Sequence, residues 1–399
     1  VKSQSIAIIG AGTAGLASAR VLAAQGHDIT LLEQAPALAP VGAGILLQPT
    51  GLSVLQELGC YQALAELGAP VDGLHGVTRS GRVLMDTRYH LLGPGVQGLG
   101  VHRASLCHVL SNSLDGYPHQ RWLGTRVDAL RHDPQGVTVA VGAGAHQGEH
   151  RFDAALIANG SNSHLRPADW VRYDRQYPWG ALWAIMPMEA GFDGGWLRQC
   201  YEGAHRMAGV LPTGRTPDAP DTPLLSFFWS LPVADMPHWR NGAHPFEQWK
   251  QETAAFWPDL KPLLARLSSS ADLLQATYRD VILHRWGEGR LGIIGDAAHA
   301  MSPQLGQGGT MALLDAQALG QAMAEADQWP QVWAGFQRRR AGSIRFYQNM
   351  SRWLTPLFQS HGKWIPALRD VAFPLMYRMP WLPRQMALTV AGAKRGLLR

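Results

Sequence analysis

Three clusters of glycine, acid and small polar residues could together hold a dinucleotide. Gly10-Ala11-Gly12-Thr13-Ala14-Gly15 is a G-x-G-x-x-G that directly follows the apolar run Ile6-Ala7-Ile8-Ile9. In such a turn Gly10 permits the tight bend, Gly12 lets a pyrophosphate reach the backbone, and Gly15 lets helix pack closely on strand. Glu33 ends the next apolar run, 23 positions beyond Gly10, where a carboxylate can accept from adenosine ribose hydroxyls. The second cluster runs Gly295-Asp296-Ala297-Ala298-His299 through Pro303 to Gly306-Gln307-Gly308-Gly309-Thr310, and the third is Asn159-Gly160-Ser161-Asn162-Ser163-His164-Leu165-Arg166. Each again follows an apolar run.

The elements that must position these clusters are legible around them. Residues 6–9, 29–32, 153–158 and 291–294 predict short, fully buried parallel strands, and alanines and leucines at helical spacing predict a helix over 14–25 with Gly26 as its stop. Strand, glycine turn, helix, strand and acid in that order predict an α/β, Rossmann-like domain.

These motifs resemble the single-component (group A) FAD-dependent aromatic hydroxylases related to para-hydroxybenzoate hydroxylase. The signature of that family reads G-D-A-A-H, a proline, a G-x-G turn and a helix with an internal aspartate, here Asp315. The resemblance implies noncovalent FAD. Its contacts would fall at Gly10, Gly12, Thr13, Ala14, Gly15 and Glu33, at Gly295, Asp296 and Pro303, and at Gly306, Gly308, Gly309 and Thr310. Asp296 would hydrogen-bond the ribityl chain, while the backbone over 306–310 would approach the isoalloxazine and pyrophosphate at a helix N-terminus. The resemblance extends to Gly42-Ala43-Gly44-Ile45 with Gln48-Pro49, an extended segment beside the flavin, and to His102–Leu106 (102–106), where Arg103 would contact FAD. Residues 159–166 match an element serving both FAD and a transient nicotinamide. Gly160, Ser163 and Arg166 agree with that element, but Asn159 replaces its aspartate, and Thr310 replaces a usual asparagine. Asparagine keeps size and hydrogen-bonding reach while losing charge, so FAD binding should survive and handling of NAD(P)H is the step affected.

The activity implied is hydroxylation of an aromatic or other electron-rich small molecule with NADH or NADPH and O2, through a flavin C4a-hydroperoxide. Because the cofactor carries that chemistry, no catalytic acid, base or nucleophile is expected, and His299 reads as structural or cofactor-positioning. The single glycine fingerprint fits a nicotinamide that visits without a domain of its own. Asn159 and Thr310 leave open a redox-weak FAD-binding scaffold. A membrane-associated flavoprotein oxidising or epoxidising a lipophilic quinone- or polyene-like compound is the other alternative.

Residues 1–70, 99–166 and 286–330 are assigned to the FAD-binding domain, 71–98 and 167–285 to a mainly β substrate-binding domain, and 331–399 to a basic helical C-terminal segment. Strands are predicted over 180–187, 206–211 and 224–231, the last carrying Phe227-Phe228-Trp229. Trp183, Phe227 and Trp229 are the candidate pocket residues for a flat aromatic substrate, with ordinary core as the other reading of the same rings. Tyr201 and Arg206 could read a phenol or a carboxylate.

The C-terminal segment 331–399 carries twelve Lys and Arg against one acid, Asp370, whereas the first 330 residues are net −6. Trp333, Trp353, Trp364 and Trp381 are interleaved with those cations, so the segment reads either as helices covering the flavin domain or as a peripheral membrane or protein contact. Nucleic acid is excluded by the acidic remainder and the lack of a recognition motif. No run approaches the ~18 apolar residues of a spanning helix, which with Cys60, Cys107 and Cys200 unpaired and far apart predicts a cytoplasmic protein. No metal site is expected, since no H-x-x-x-H or carboxylate–histidine cluster falls on one helix face. A halogenase is disfavoured because no lysine occurs between Lys2 and Lys250.

Overall fold

Aliphatic runs buried on both faces make the centre of a six-stranded sheet in this computed structural model, which describes residues 3–38, 44–240, 242, 244–362 and 364–396. The strand order is Gly287–Glu288, Leu291–Ile293, Ala154–Ile157, Ser5–Ile9, Asp28–Leu32 and His119–Trp122, all parallel except the short first strand. Ile9 stands beside Leu32 on one side and Ile157 on the other, and Ile157 beside Ile293, so four strands end level. Double burial explains why these strands are continuous apolar runs rather than alternating ones. The helices Thr13–Ala24 and Gly308–Glu325 pack against each other over this sheet.

A second sheet of seven strands runs Leu274–Leu283, Val171–Pro187, Ala219–Pro232, Arg206–Thr216, Trp196–Glu202, Gly73–Thr78 and Val83–Arg88. Its side chains alternate between two faces. Leu182, Ala184, Phe227 and Trp229 pack against Trp239, Trp249 and Phe256 of the helices Met236–Arg240 and Phe246–Phe256. Trp183, Tyr201, Met207 and Phe228 occupy the other face, with Phe358. A three-stranded sheet of Gly44–Leu47, Gly98–His102 and Ala69–Val71 joins the two bodies: the Gly44 N–H donates to Ser226 Oγ at 2.8 Å. An antiparallel sheet of Arg126–Asp133, Gly136–Ala143 and Gly148–Phe152 precedes the Ala154–Ile157 strand.

The C-terminal segment forms the helices Trp329–Phe358, Trp364–Met376 and Leu382–Val390. Several of its cations turn inward, Lys394 among them. Arg340 pairs with Asp315, Arg352 with Asp280, and Arg369 with Asp370 while donating to the carbonyls of Leu357 and Gly203. Arg340 thereby ties the long helix to the Gly308–Glu325 helix and Arg352 ties it to the seven-stranded sheet, and Val390 and Ala391 close on Leu46, Tyr89 and Leu211. The architecture is the α/β class predicted from sequence, with a Rossmann-type parallel sheet, a mainly β second body and a helical C-terminal region. Among the described residues no helix is long and apolar enough to cross a membrane.

Candidate active site

Level strand ends bring the three glycine clusters together. Gly10 has φ +107, and a Cβ on it would sit 2.6 Å from the Ala158 carbonyl oxygen and 2.8 Å from Asn159 Cα. A Cβ on Gly15 would stand 1.8 Å from the Gly10 carbonyl oxygen, so first turn and helix touch backbone to backbone. A Cβ on Gly295 would come within 2.7 Å of Ala14 Cβ, which joins the second cluster to the first. Gly12 differs from all of these: nothing lies within 4 Å of where its Cβ would be. That open space adjoins the start of the Thr13–Ala24 helix, which has no side-chain cap, so its first N–H groups face outward with the positive end of the dipole. The Gly308–Glu325 helix likewise begins after Gln307 without a side-chain cap.

Polar groups around this opening have spare capacity. Asp296 is exposed, forms no hydrogen bond or ion pair among the described residues, and has Oδ1 3.8 Å from where a Cβ on Gly308 would stand. Asn159 Oδ1 is buried without a partner, an acceptor that needs a donor. Glu33 accepts from the Ala11 N–H at 2.8 Å through Oε2 and from the Ala35 N–H at 3.0 Å through Oε1, which fixes the carboxylate across the glycine turn. Arg103, exposed at the start of the Arg103–Asn112 helix, has no hydrogen-bond or ion-pair partner among the described residues.

Behind the turns lies a buried network. Asp315 Oδ2 accepts from the Gly295 N–H at 2.9 Å and meets His299 Nε2 at 2.6 Å, while Oδ1 meets Arg340 Nε at 2.7 Å. Burial alone would raise the Asp315 carboxyl, but His299 and Arg340 outweigh it and hold it down at about 2. His299 therefore braces the Gly295 turn from within the core. Arg166 does the same for the third cluster. Its five N–H donors reach the carbonyls of Ala297, Ser163, Gly160 and Ser161 and the Asp174 carboxylate, at 2.6–3.4 Å, so the guanidinium staples residues 160–163 to the Gly295 turn.

Other predicted residues sit close by with different side-chain roles. Gly160 has φ +84 with open space beside it, Pro303 is exposed at the start of a short turn, and Gly306 has φ +60. Gly309 abuts Ile45 and Leu47, and Gly44 heads that same strand. Thr310 is fully buried with Oγ1 accepting from the Gln48 N–H at 3.0 Å, so only its backbone is left for a cofactor. Gly42 and Ala43 lie outside the described residues.

The pocket aromatics are corrected by strand parity. Phe227 and Trp229 point to the face covered by the Phe246–Phe256 helix, where their rings meet Trp249. Neither faces the glycine turns. Phe228, one position between, shares the opposite face with Ser226, which holds Gly44, and with Trp183, whose ring centroid is 4.9 Å away. The tip of the Phe228 ring covers Gly209, where a Cβ would strike it at 2.1 Å. Trp183 Nε1 donates to the Tyr278 hydroxyl at 3.2 Å, and burial pushes that phenol up to about 12, so it is a donor at neutral pH. Arg103 is near enough for its charge to act on Tyr278. Phe228 and Tyr278 were missed; the two-residue period of the strand was the available signal for Phe228. Tyr201 is buried against Phe358, and Arg206 pairs with Glu202 at 3.0 Å, so neither is a substrate reader here. His146 and His150, spaced H-x-x-x-H, surround Trp122, and the His150 ring bonds the His146 carbonyl.

A flavin dinucleotide suits this donor set: two uncapped helix starts and the void at Gly12 for the pyrophosphate, Asp296 and Asn159 for hydroxyls, Glu33 for the ribose, and Arg103 beside the aromatic face. Comparison with known proteins agrees. A family described as "FAD binding domain" matches residues 3–329. A 2-heptyl-3-hydroxy-4(1H)-quinolone synthase of Pseudomonas aeruginosa is 27% identical over 382 residues, 94% of each chain. An FAD-dependent urate hydroxylase of Klebsiella pneumoniae is 26% identical over 357 residues, covering 85% of this chain and 86% of that one. The crystal structure of Klebsiella pneumoniae HpxO complexed with FAD and uric acid superposes with a TM-score of 0.79 at 20% identity, over 99% and 98% of the two chains.

Proposed function

Because the chain belongs to the FAD-binding-domain family, we propose that it is an FAD-dependent monooxygenase that hydroxylates a planar aromatic or similarly electron-rich small molecule with NADH or NADPH and O2. The observation that carries this reading is the strand Gly44–Leu47, which leans on Gly309 at one end and is held by Ser226 at the other. Ser226 shares its sheet face with Trp183 and Phe228, so this strand links the glycine turns to that apolar face. When bound, FAD supplies the redox chemistry: it takes electrons from the nicotinamide and activates O2 for transfer of one oxygen atom. The chain's own residues do the rest. Asp296, Asn159, Glu33 and the two helix starts hold and orient the cofactor, Trp183 and Phe228 give a flat ring a dry platform, and Tyr278 donates to a polar substituent.

The domain division follows the same logic. We assign residues 1–70, 99–166 and 286–330 to the cofactor and 71–98 and 167–285 to the substrate, and propose that the protein works in the cytoplasm. The names of the relatives, a heptyl-hydroxyquinolone synthase and a urate hydroxylase, favour a nitrogen-containing ring as substrate. Exposed tryptophans of the C-terminal segment favour, as a second reading, a lipophilic member of that class met at a membrane or protein surface. Oxidation of NADH and NADPH by the FAD-loaded chain, measured with 2-alkyl-4-quinolones, urate and para-hydroxybenzoate, tests the proposal. At least one compound is expected to accelerate oxidation roughly tenfold or more and to carry one atom of labelled O2. Equal basal rates with every compound count for the redox-weak scaffold instead.

A further inference from the structure

We propose that the outward side of the Trp364–Met376 helix, with the turn that follows it, docks on an anionic lipid bilayer. This rests on the peripheral contact read above and is independent of the oxygen-transfer chemistry. The helix is built inside out. Its inward side carries charge: Arg369 is 1% exposed, bound to Asp370 and two backbone carbonyls, with its guanidinium 5.4 Å from the Tyr201 ring and 5.0 Å from the Phe358 ring. Its outward side carries Trp364, 89% exposed, Leu368, 69% exposed, Val371 and Leu375, and the line continues to Met379 and Trp381. Steps of three and four keep the helical members on one stripe. Scattered exposed apolar residues are ordinary, but a stripe in register marks an interaction surface.

Charge decides what covers it. Arg378 and Arg384 are exposed beside the stripe and form no ion pair among the described residues. Asp370, the only acid in 331–399, is already taken by Arg369. A second copy of the chain would set cations on cations. An anionic bilayer offers negative headgroups to the arginines and a shallow apolar layer to the stripe, with tryptophans at its two ends where the interface favours them. Since no described helix can cross a membrane, the helix lies in the interface plane.

The test is flotation of the full-length, FAD-loaded chain, without substrate, on vesicles of phosphatidylcholine alone or mixed with phosphatidylglycerol. Binding to the mixed vesicles, lost at high salt and weak on phosphatidylcholine, is expected. Leu368→Glu should abolish it, and Arg378→Ala and Arg384→Ala should each weaken it roughly fivefold. All three positions are exposed, so flavin content and thermal stability should stay those of the parent. Absence of flotation on the mixed vesicles, or flotation indifferent to Leu368→Glu, overturns the proposal. So does a sedimentation experiment in which Leu368→Glu splits a self-associated form that never floats. Substrate-stimulated turnover measured without vesicles reports separately on the monooxygenase reading: turnover without flotation removes the membrane surface alone, and flotation without turnover removes the reaction alone.

Discussion

Gly12 and Gly15 differ in what a methyl group would meet, and that difference separates binding from folding. At Gly12 it enters open space, and at Gly15 it lands 1.8 Å from a backbone oxygen. Gly12→Ala is therefore expected to keep the parent's melting temperature while weakening FAD by about tenfold or more, read by fluorescence titration, because it fills the space a pyrophosphate needs. Gly15→Ala should lower stability and flavin content together. Asp315 makes a second residue-scale prediction. Removing its charge strands Arg340 in the core, so Asp315→Asn should cost about 3–5 kcal/mol in urea unfolding at neutral pH. The sign with pH follows from a folded value of about 2 against an unfolded value of about 3.9. The carboxylate's contribution is complete above pH ~4 and is lost as pH falls toward ~2, so the gap between the parent and the Asp315→Asn variant narrows only in that acid window.

At the scale of elements, the same strand carries two kinds of aromatic residue. Phe227→Ala should lose about 3–5 kcal/mol of stability with substrate KM little changed, because it empties the core beneath the Phe246–Phe256 helix. Phe228→Ala should raise substrate KM several-fold, measured by steady-state kinetics, since the ring it deletes lies on the platform beside Trp183. Sequence alone showed that residues 224–231 form an aromatic strand but assigned Phe227 and Trp229 to the pocket. A period of two says that 227 and 229 share a face; it does not say which face is turned to the cofactor, because both are apolar here. The parallel strands and their turns were far more legible. Short aliphatic runs ending in glycine leave few other structures, and Gly10, Asn159 and Gly295 meet because the strand ends are level. What stayed hidden was the bracing by Arg166, which looks like a site residue by position, yet its donors are committed to the carbonyls of its own turn and to that of Ala297, far along the chain; His299, read from sequence as structural or cofactor-positioning, meets Asp315. Thr310 is a similar case, since only the fold reveals that its hydroxyl serves the Gln48 N–H.

Over the whole molecule, the basic C-terminal segment divides into an inward and an outward set. Arg340 and Arg352 tie the long helix to the Gly308–Glu325 helix and to the seven-stranded sheet through Asp315 and Asp280, and Arg369 binds the carbonyls of Leu357 and Gly203, which a charge tally along the chain could not distinguish from the solvent-facing Arg378 and Arg384. The result is one body in which the parallel sheet supplies the glycine turns, the seven-stranded sheet supplies the apolar face of Trp183 and Phe228, and the long Trp329–Phe358 helix bonds to both the Gly308–Glu325 helix and the seven-stranded sheet. All of this presumes that the turns enclose a flavin. Titrating the flavin-free chain with FAD, while following visible absorbance and quenching of flavin fluorescence, tests that directly. Saturation at one FAD per chain, with a structured and shifted flavin band, is the expected result. A chain with native secondary structure that takes up no FAD at any concentration would contradict it.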